Sequence, residues 1–203
     1  MTPQELADAI RSNDDGRQVT RTCFAGLSIS HDRPAAICTL SGPYGDGTKH
    51  YLDFVVLPDK LPVGYAESAL YYLSLAPLLE GQPTPLVVGV ERKFADNNRD
   101  LLESFSLPIV SMPMGIIGQS VYLKVLEDLL SEGGIYPFAP GCKAALDELA
   151  RARTLEGDNG ARKIIDPTPR VEALVLALAA RHHYVQHPDW YGEIALDAGV
   201  TTR

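Results

Sequence analysis

The first third of the chain contains stretches in which alternate residues point to opposite faces, and they predict three β-strands. In the stretch Thr20 to Ser30, positions 23, 25, 27 and 29 alternate with 24, 26, 28 and 30, and both sets are largely small or apolar. This composition is typical of a strand buried on both sides at the centre of a sheet. Two further strands at 35–41 and 50–57, joined by short turns, predict an antiparallel meander.

Apolar residues then recur at helical spacing, which predicts helices alternating with strands. A capping box, Thr2 with Glu5, also begins a helix that ends near residue 12. Continuous apolar runs predict buried parallel strands, and the last helix is apolar nearly all round, as buried helices are. The predicted strands are 85–91 and 107–112, and the predicted helices after the meander are 64–80, 97–106, 119–131, 141–154 and 170–183, with a polar break at 155–169.

This order predicts an α/β fold with a five-stranded mixed sheet. Three antiparallel strands followed by two right-handed crossovers place the first strand centrally, with helices on both faces. That topology is the ribonuclease H-like fold. We expect an N-terminal helix and connector at 1–18, the ribonuclease H-like domain at 19–185, and an irregular tail at 186–203.

Composition and charge limit the classes of function. The 203 residues, 45% hydrophobic and 22% charged, suit one globular domain. Because there is no long apolar run and no signal-peptide pattern, we expect a cytoplasmic protein that does not contact a membrane. The net charge of −8 argues against a tight autonomous binder of nucleic acid, but allows an enzyme that meets DNA while a partner holds it. The three cysteines have no metal-like spacing, and Cys23 and Cys38, on adjacent predicted strands, are expected to be buried free thiols.

Acidic residues occur at two of the three places where this fold collects metal ligands. Two-metal nucleases need several converging carboxylates. Glu91 ends the fourth strand and Glu172 is the lone acid of the last helix, whereas the first strand offers Ser28. Asp32 and Asp166 are nearby acids that would supplement the set.

Each acid also has a structural explanation. Glu91 would be a surface turn residue, Glu172 a first-turn carboxylate stabilised by the helix dipole, and Asp32 and Asp166 residues of turns that lead into prolines. A weaker match is the short E-x-K pattern of another nuclease class, Glu91 to Lys93, with Asp53 as its acid.

Three segments together resemble the C-terminal nuclease domain of phage large terminases. C-F-A-G-L-S-I-S-H-D-R-P-A-A is similar to that family's first strand, G-L-D-L-S, and its following D-L-T-A turn. V-V-G-V-E-R-K-F-A-D is similar to its second acidic strand, and R-K-I-I-D-P-T-P-R-V-E-A-L-V-L-A-L-A-A to its final segment. The resemblance spans about residues 20–183.

The resemblance implies a metal-dependent DNA endonuclease, a two-metal phosphodiester hydrolase using two Mg²⁺ or Mn²⁺ ions. Its partners would be double-stranded DNA and a motor ATPase domain or other phage packaging proteins, in the cytoplasm of a bacterial host. The motor's G-x-x-x-x-G-K-[ST] loop is not in this sequence. The implied residues are Ser28, Asp32, Glu91 and Glu172 for catalysis, Asp32, Glu91, Glu172 and Asp166 for the metal, and Lys93, Arg162 and Lys163 for DNA.

The first acid of the family falls on Ser28, so one charged ligand is missing. We therefore expect weak or conditional cleavage. Two alternatives remain: a catalytically inactive ribonuclease H-like binding or assembly module, and a Holliday-junction-type resolvase of the same fold.

Overall fold

The central feature of the computed structural model is a six-stranded mixed sheet. The structure describes residues 1–12, 22–29, 34–42, 50–57, 64–79, 85–132, 134–137, 140–157 and 159–187. The strands lie in the order β5-β4-β1-β2-β3-β6, with β1 antiparallel to β2 and parallel to β4. They are β1 (Thr22–Ser28), β2 (Ala36–Gly42), β3 (His50–Val56), β4 (Pro85–Glu91), β5 (Ile109–Met112) and β6 (Ile135–Pro137). The predicted order of the first five strands is confirmed.

Helices cover both faces of the sheet, as predicted. One core contains side chains of α1, α5, α6 and α7, and the core on the opposite face contains side chains of α2 and α4. The helices are α1 (Pro3–Ser12), α2 (Tyr65–Leu79), α3 (Arg92–Asn97), α4 (Arg99–Glu103), α5 (Ile116–Ser131), α6 (Pro140–Ala150) and α7 (Pro169–Gln186). None of the helices in the described part of the chain is long and apolar enough to span a membrane.

Strand β1 is buried on both faces because its two alternating sets of side chains enter different cores. Phe24 belongs to the core that contains α7, whereas Ala25 and Leu27 belong to the core that contains α2. All of the residues from Cys23 to Ser28 are buried. The double burial explains why both sets are small or apolar.

Helix α7 lies directly on β1 and β4 because a glycine of each strand leaves room for its backbone. A Cβ on Gly26 would lie 2.0 Å from the Ala173 carbonyl oxygen, and one on Gly89 would lie 2.4 Å from the Leu176 carbonyl oxygen. All ten residues from Val171 to Ala180 are buried. This close approach sets the position of the first turn of α7 over the sheet.

Strand β6 and a hairpin are additional to the predicted elements. Strand β6, between the predicted helices 119–131 and 141–154, adds a sixth strand parallel to β3, and its three residues are too few to show a period. The polar break at 155–169 contains much of a hairpin, β7 (Arg153–Glu156) with β8 (Arg162–Ile165). Because β7 is exposed along its whole length, it has no hydrophobic alternation for a pattern to detect.

The predicted helix at 97–106 contains the short α4 (Arg99–Glu103), but α3 was not predicted. Helix α3 begins at Arg92, directly after β4, which ends at Glu91 as predicted. Because α3 buries none of its residues, it has no apolar period that marks its start.

The three cysteines are free and buried, as predicted for Cys23 and Cys38. Burial raises the pKa of Cys23 to about 12, and the Cys142 thiol donates to the Leu52 carbonyl at 2.8 Å. The domain boundaries at 18/19 and 185/186 stay a prediction. Residues 13–21 and 188–203 lie outside the described part of the chain, and α7 continues across 185/186 to Gln186.

Candidate active site

The C-terminal ends of β1 and β4 form the edge of the sheet at which the candidate residues lie. Leu27 pairs with Val90 in parallel register, so Ser28 and Glu91 are the next residues of their strands. Adjacent strands are about 4.8 Å apart. Ser28 lies two residues after Gly26, and Glu91 lies two residues after Gly89; both glycines face α7. Because side chains two residues apart point to the same face of a strand, the side chains of Ser28 and Glu91 are directed toward α7.

The Ser28 hydroxyl donates a hydrogen bond to Oε2 of Glu172, in the first turn of α7. Both side chains are buried, with 2% of Ser28 and 7% of Glu172 exposed. A buried carboxylate is costly unless it is paired, and this hydroxyl satisfies one of its oxygens. The positive end of the helix dipole, at the N-terminus of α7, further favours the negative charge.

A network around Glu148 fixes the start of α7 and so the position of Glu172. Thr168 is the N-cap, accepting from the Val171 amide at 3.4 Å, with Pro169 next to it. The Thr168 hydroxyl donates to Glu148 at 2.6 Å, and the Arg170 guanidinium donates to the other oxygen of Glu148. The Thr-Pro pair is a recognisable helix start, but no sequence pattern pointed to Glu148.

Glu91 occupies the rim of the site. It is half-buried and precedes α3 as its N-cap residue, yet its side chain makes no capping hydrogen bond. Capping therefore does not account for this carboxylate. The exposed Arg92 and Lys93 follow it directly on α3, so positive charge stands next to the rim.

The remaining candidate acids do not join this contact in the described part of the chain. Asp32 lies outside the described residues. Asp166, at φ +46°, lies exposed in the turn before α7, where its carboxylate pairs with Arg153 at 3.3 Å. Their assignment as metal ligands stays a prediction.

The three basic residues predicted to contact DNA have different surroundings. Lys93 is exposed beside Glu91, and Lys163 is half-buried on β8. Arg162 donates at 2.7 Å both to Glu127 and to the Met1 carbonyl oxygen, so it joins β8 to α5 and to the N-terminus. A structural role therefore accounts for the Arg162 contacts.

The E-x-K alternative requires Asp53 and Glu91 to share an ion. Strands β1 and β2 separate β3 from β4, which places the two strands about 14 Å apart at three strand spacings. Burial raises the pKa of Asp53, and a hydrogen bond from the Phe54 amide partly offsets the rise. The strand order therefore disfavours this pairing.

The oxygen ligands at the C-terminal ends of β1 and β4 determine which metal ion could bind there. Within the described ranges, no group of three or more His, Cys, Asp or Glu side chains could hold a metal ion. Two carboxylates, a hydroxyl and water suit one hard divalent ion, which prefers oxygen ligands. A second ion needs further carboxylates, and Asp32 and Asp166 are the predicted acids that remain to supply them.

No protein-family model matches this sequence, and no curated protein matches it either. Among the solved structures that are similar to it are three phage large terminases or their nuclease domains. The HK97 bacteriophage large terminase is 15% identical, with a TM-score of 0.63, and the match covers 89% of this chain and 42% of that chain. The large terminase nuclease from thermophilic phage G20c with bound cobalt is 14% identical, with a TM-score of 0.55, and the match covers 88% of this chain and 96% of that chain. The large terminase of a second thermophilic bacteriophage in complex with ATP-gamma-S is 12% identical, with a TM-score of 0.60, and the match covers 86% of this chain and 45% of that chain.

At such low identity the likeness establishes the fold. The chain has the fold of the nuclease domains of phage large terminases, which confirms the ribonuclease H-like prediction with a sixth strand added. It spans less than half the length of the HK97 large terminase and of the terminase in complex with ATP-gamma-S, but nearly all of the G20c nuclease.

Proposed function

We propose that this chain is a terminase-type nuclease domain that hydrolyses DNA phosphodiester bonds with a divalent cation held at the edge of the sheet. The observation that carries the proposal is the buried contact between Ser28 and Glu172, beside the position of Glu91 in the parallel register. In open sheets of this kind, ligands bind outside the carboxyl ends of the strands. Ser28 and Glu91 lie at that end of their strands, and Ser28 contacts Glu172.

Glu172 and Glu91 would have different roles in binding the ion. Glu172 is held by Ser28 and by the fixed start of α7, so its carboxylate would be a rigid ligand. Glu91, at the rim, would be the ligand that solvent and substrate reach first. A bound divalent ion polarises the phosphate and activates water. Cobalt in the G20c nuclease supports a divalent ion here, and Mg²⁺ or Mn²⁺ are the ions we expect.

Activity should be weak, or conditional on a partner. The described part of the site supplies two carboxylates, and the net charge of −8 opposes unaided binding to DNA. A motor ATPase domain or another phage packaging protein would then hold the DNA, inside a bacterial host cell. The similar large terminase in complex with ATP-gamma-S supports this kind of partner.

A second candidate is an inactive binding or assembly module with the same fold. The Ser28–Glu172 hydrogen bond favours it, because the contact satisfies Glu172 without a cation. This module would show no response to metal.

Nicking of supercoiled plasmid in Mn²⁺ tests the proposal. We expect the protein to nick, Glu91→Ala to lose nicking, and Glu103→Ala, an exposed glutamate of α4 on the other face of the sheet, to keep it. Loss of nicking in both variants would point to damaged protein, whereas full nicking by Glu91→Ala would point to a contaminating nuclease. No nicking by the unaltered protein, on plasmid or on a four-way junction, would favour the inactive module, whereas cutting of the junction alone would favour a resolvase.

A further inference from the structure

The Ser28–Glu172 hydrogen bond stabilises the buried Glu172 carboxylate without a cation. Carboxylates packed together repel one another, and a site built from three of them needs a cation or a proton to relieve the repulsion. Here a neutral hydroxyl takes the place of one carboxylate and donates to another. Both side chains are buried, so the hydrogen bond forms away from bulk water and stabilises the carboxylate.

An ion that binds this site has fewer charged ligands than a site with three carboxylates would offer, and the Ser28 hydroxyl competes with it for Glu172. The ion shares the Glu172 carboxylate with the Ser28 hydroxyl, which already donates to one of the two oxygens, and the other described carboxylate is the half-buried Glu91. Metal affinity falls as the number of charged ligands falls. An oxygen from a phosphate would supply the missing negative ligand, as phosphates do where Mg²⁺ is bound by one or two carboxylates.

The surroundings of Glu91 favour a phosphate on that side. Arg92 and Lys93 are both exposed and follow Glu91 directly on α3. Two positive charges beside a carboxylate rim attract a phosphate of DNA. Ser28 and Glu172 close the inner side of the site, so the open side is the one with Glu91.

We infer that the ion binds this edge together with a DNA phosphate and binds poorly without one, because Ser28 stands where a third carboxylate would otherwise hold the ion. This inference rests on the proposed function. Coupling between two ligands is reciprocal, so Mn²⁺ must strengthen DNA binding as much as DNA strengthens Mn²⁺ binding.

The first measurement is the melting temperature with and without Mn²⁺, in the absence of DNA. Only ligands that bind the native state raise it. We expect little change for the unaltered protein and for Ser28→Ala. Ser28→Asp should melt at a lower temperature without metal and gain about 5 °C or more in saturating Mn²⁺.

The second measurement is the affinity for a short duplex, by fluorescence anisotropy, in Mn²⁺ and in EDTA. We expect Mn²⁺ to strengthen binding by the unaltered protein about tenfold, within the usual range for coupled ligands, and to leave Glu91→Ala unchanged. Because this measurement uses the unaltered protein, it tests the inference even if Ser28→Asp does not fold.

The outcomes separate the inference from the proposed function. If Mn²⁺ alone stabilises the unaltered protein as much as Ser28→Asp, the coupling to DNA is wrong and the nuclease proposal stands. If Mn²⁺ leaves DNA affinity unchanged while Ser28→Asp binds Mn²⁺, the inference is also wrong and the site is inactive as it occurs. If no variant responds to Mn²⁺ in either measurement, the proposed function itself fails.

Discussion

Replacing Gly26 with alanine should separate α7 from the sheet. The added Cβ would lie 2.0 Å from the Ala173 carbonyl oxygen and 2.2 Å from the Ala177 amide nitrogen. Both are backbone atoms of α7, so no side-chain rotation relieves the contact. Restoring an ordinary separation near 3.4 Å requires α7 or β1 to move by about 1.2 to 1.4 Å. The close-packed interior opposes such a movement.

A displacement of that size is costly. Overpacking a core costs about 1 to 3 kcal/mol and occasionally more, and we expect about 3 kcal/mol here because only backbone atoms are involved. For a chain of this length, that corresponds to a fall of about 6 to 12 °C in melting temperature. The shift also moves Glu172, the residue before Ala173, away from Ser28.

Gly115→Ala is the matched control for this substitution. Gly115 precedes α5 with φ −70°, and nothing lies within 4 Å of a Cβ placed on it. Thermal unfolding followed by circular dichroism should show a change of less than about 1 kcal/mol for this N-cap glycine. Equal melting temperatures for Gly26→Ala and Gly115→Ala would refute the argument that α7 is held against β1 by the missing side chain.

Two further predictions concern buried and half-buried polar groups. Gln119 accepts from the Ile164 amide at 3.0 Å and donates to the Met114 carbonyl at 3.2 Å. Because Gln119→Leu leaves both backbone groups without that partner, it should lower the free energy of unfolding by about 2 to 4 kcal/mol, measured by urea unfolding. An unchanged urea midpoint would contradict this prediction. Burial raises the pKa of Glu127, but hydrogen bonds from the Met1 amine and Arg162 outweigh it and hold that pKa below its ordinary value of 4.5. A depressed folded-state pKa stabilises the protein above pH 4.5, and this stability is lost as the pH falls through the folded pKa. Glu127→Gln should therefore flatten the acid side of the stability profile, and an unaltered acid limb would show that another group controls it.

Local patterns predicted most of the fold because its central elements are buried. The alternation in β1, the apolar run of β4 and the all-round apolar α7 each follow from which faces pack against a core. Their order then predicted the antiparallel meander, the parallel strands beyond it and the neighbouring positions of Ser28 and Glu91 at the ends of β1 and β4. The strand β6 and the β7–β8 hairpin lacked such patterns, being short or exposed.

By itself, the sequence predicted the end of β4 at Glu91 and the acid in the first turn of α7, and it placed a serine near the end of β1, although the predicted stretch 20–30 runs two residues past Ser28. Only the tertiary structure decided that the Ser28 hydroxyl donates to Glu172, across 144 residues of chain, and that Glu148 anchors the start of α7. It also decided that Arg162, predicted to contact DNA, bonds Glu127. Periodicity records the face on which a side chain lies. A hydrogen bond depends on distance and direction between atoms that the chain brings together only when α7 packs against the glycines of β1 and β4.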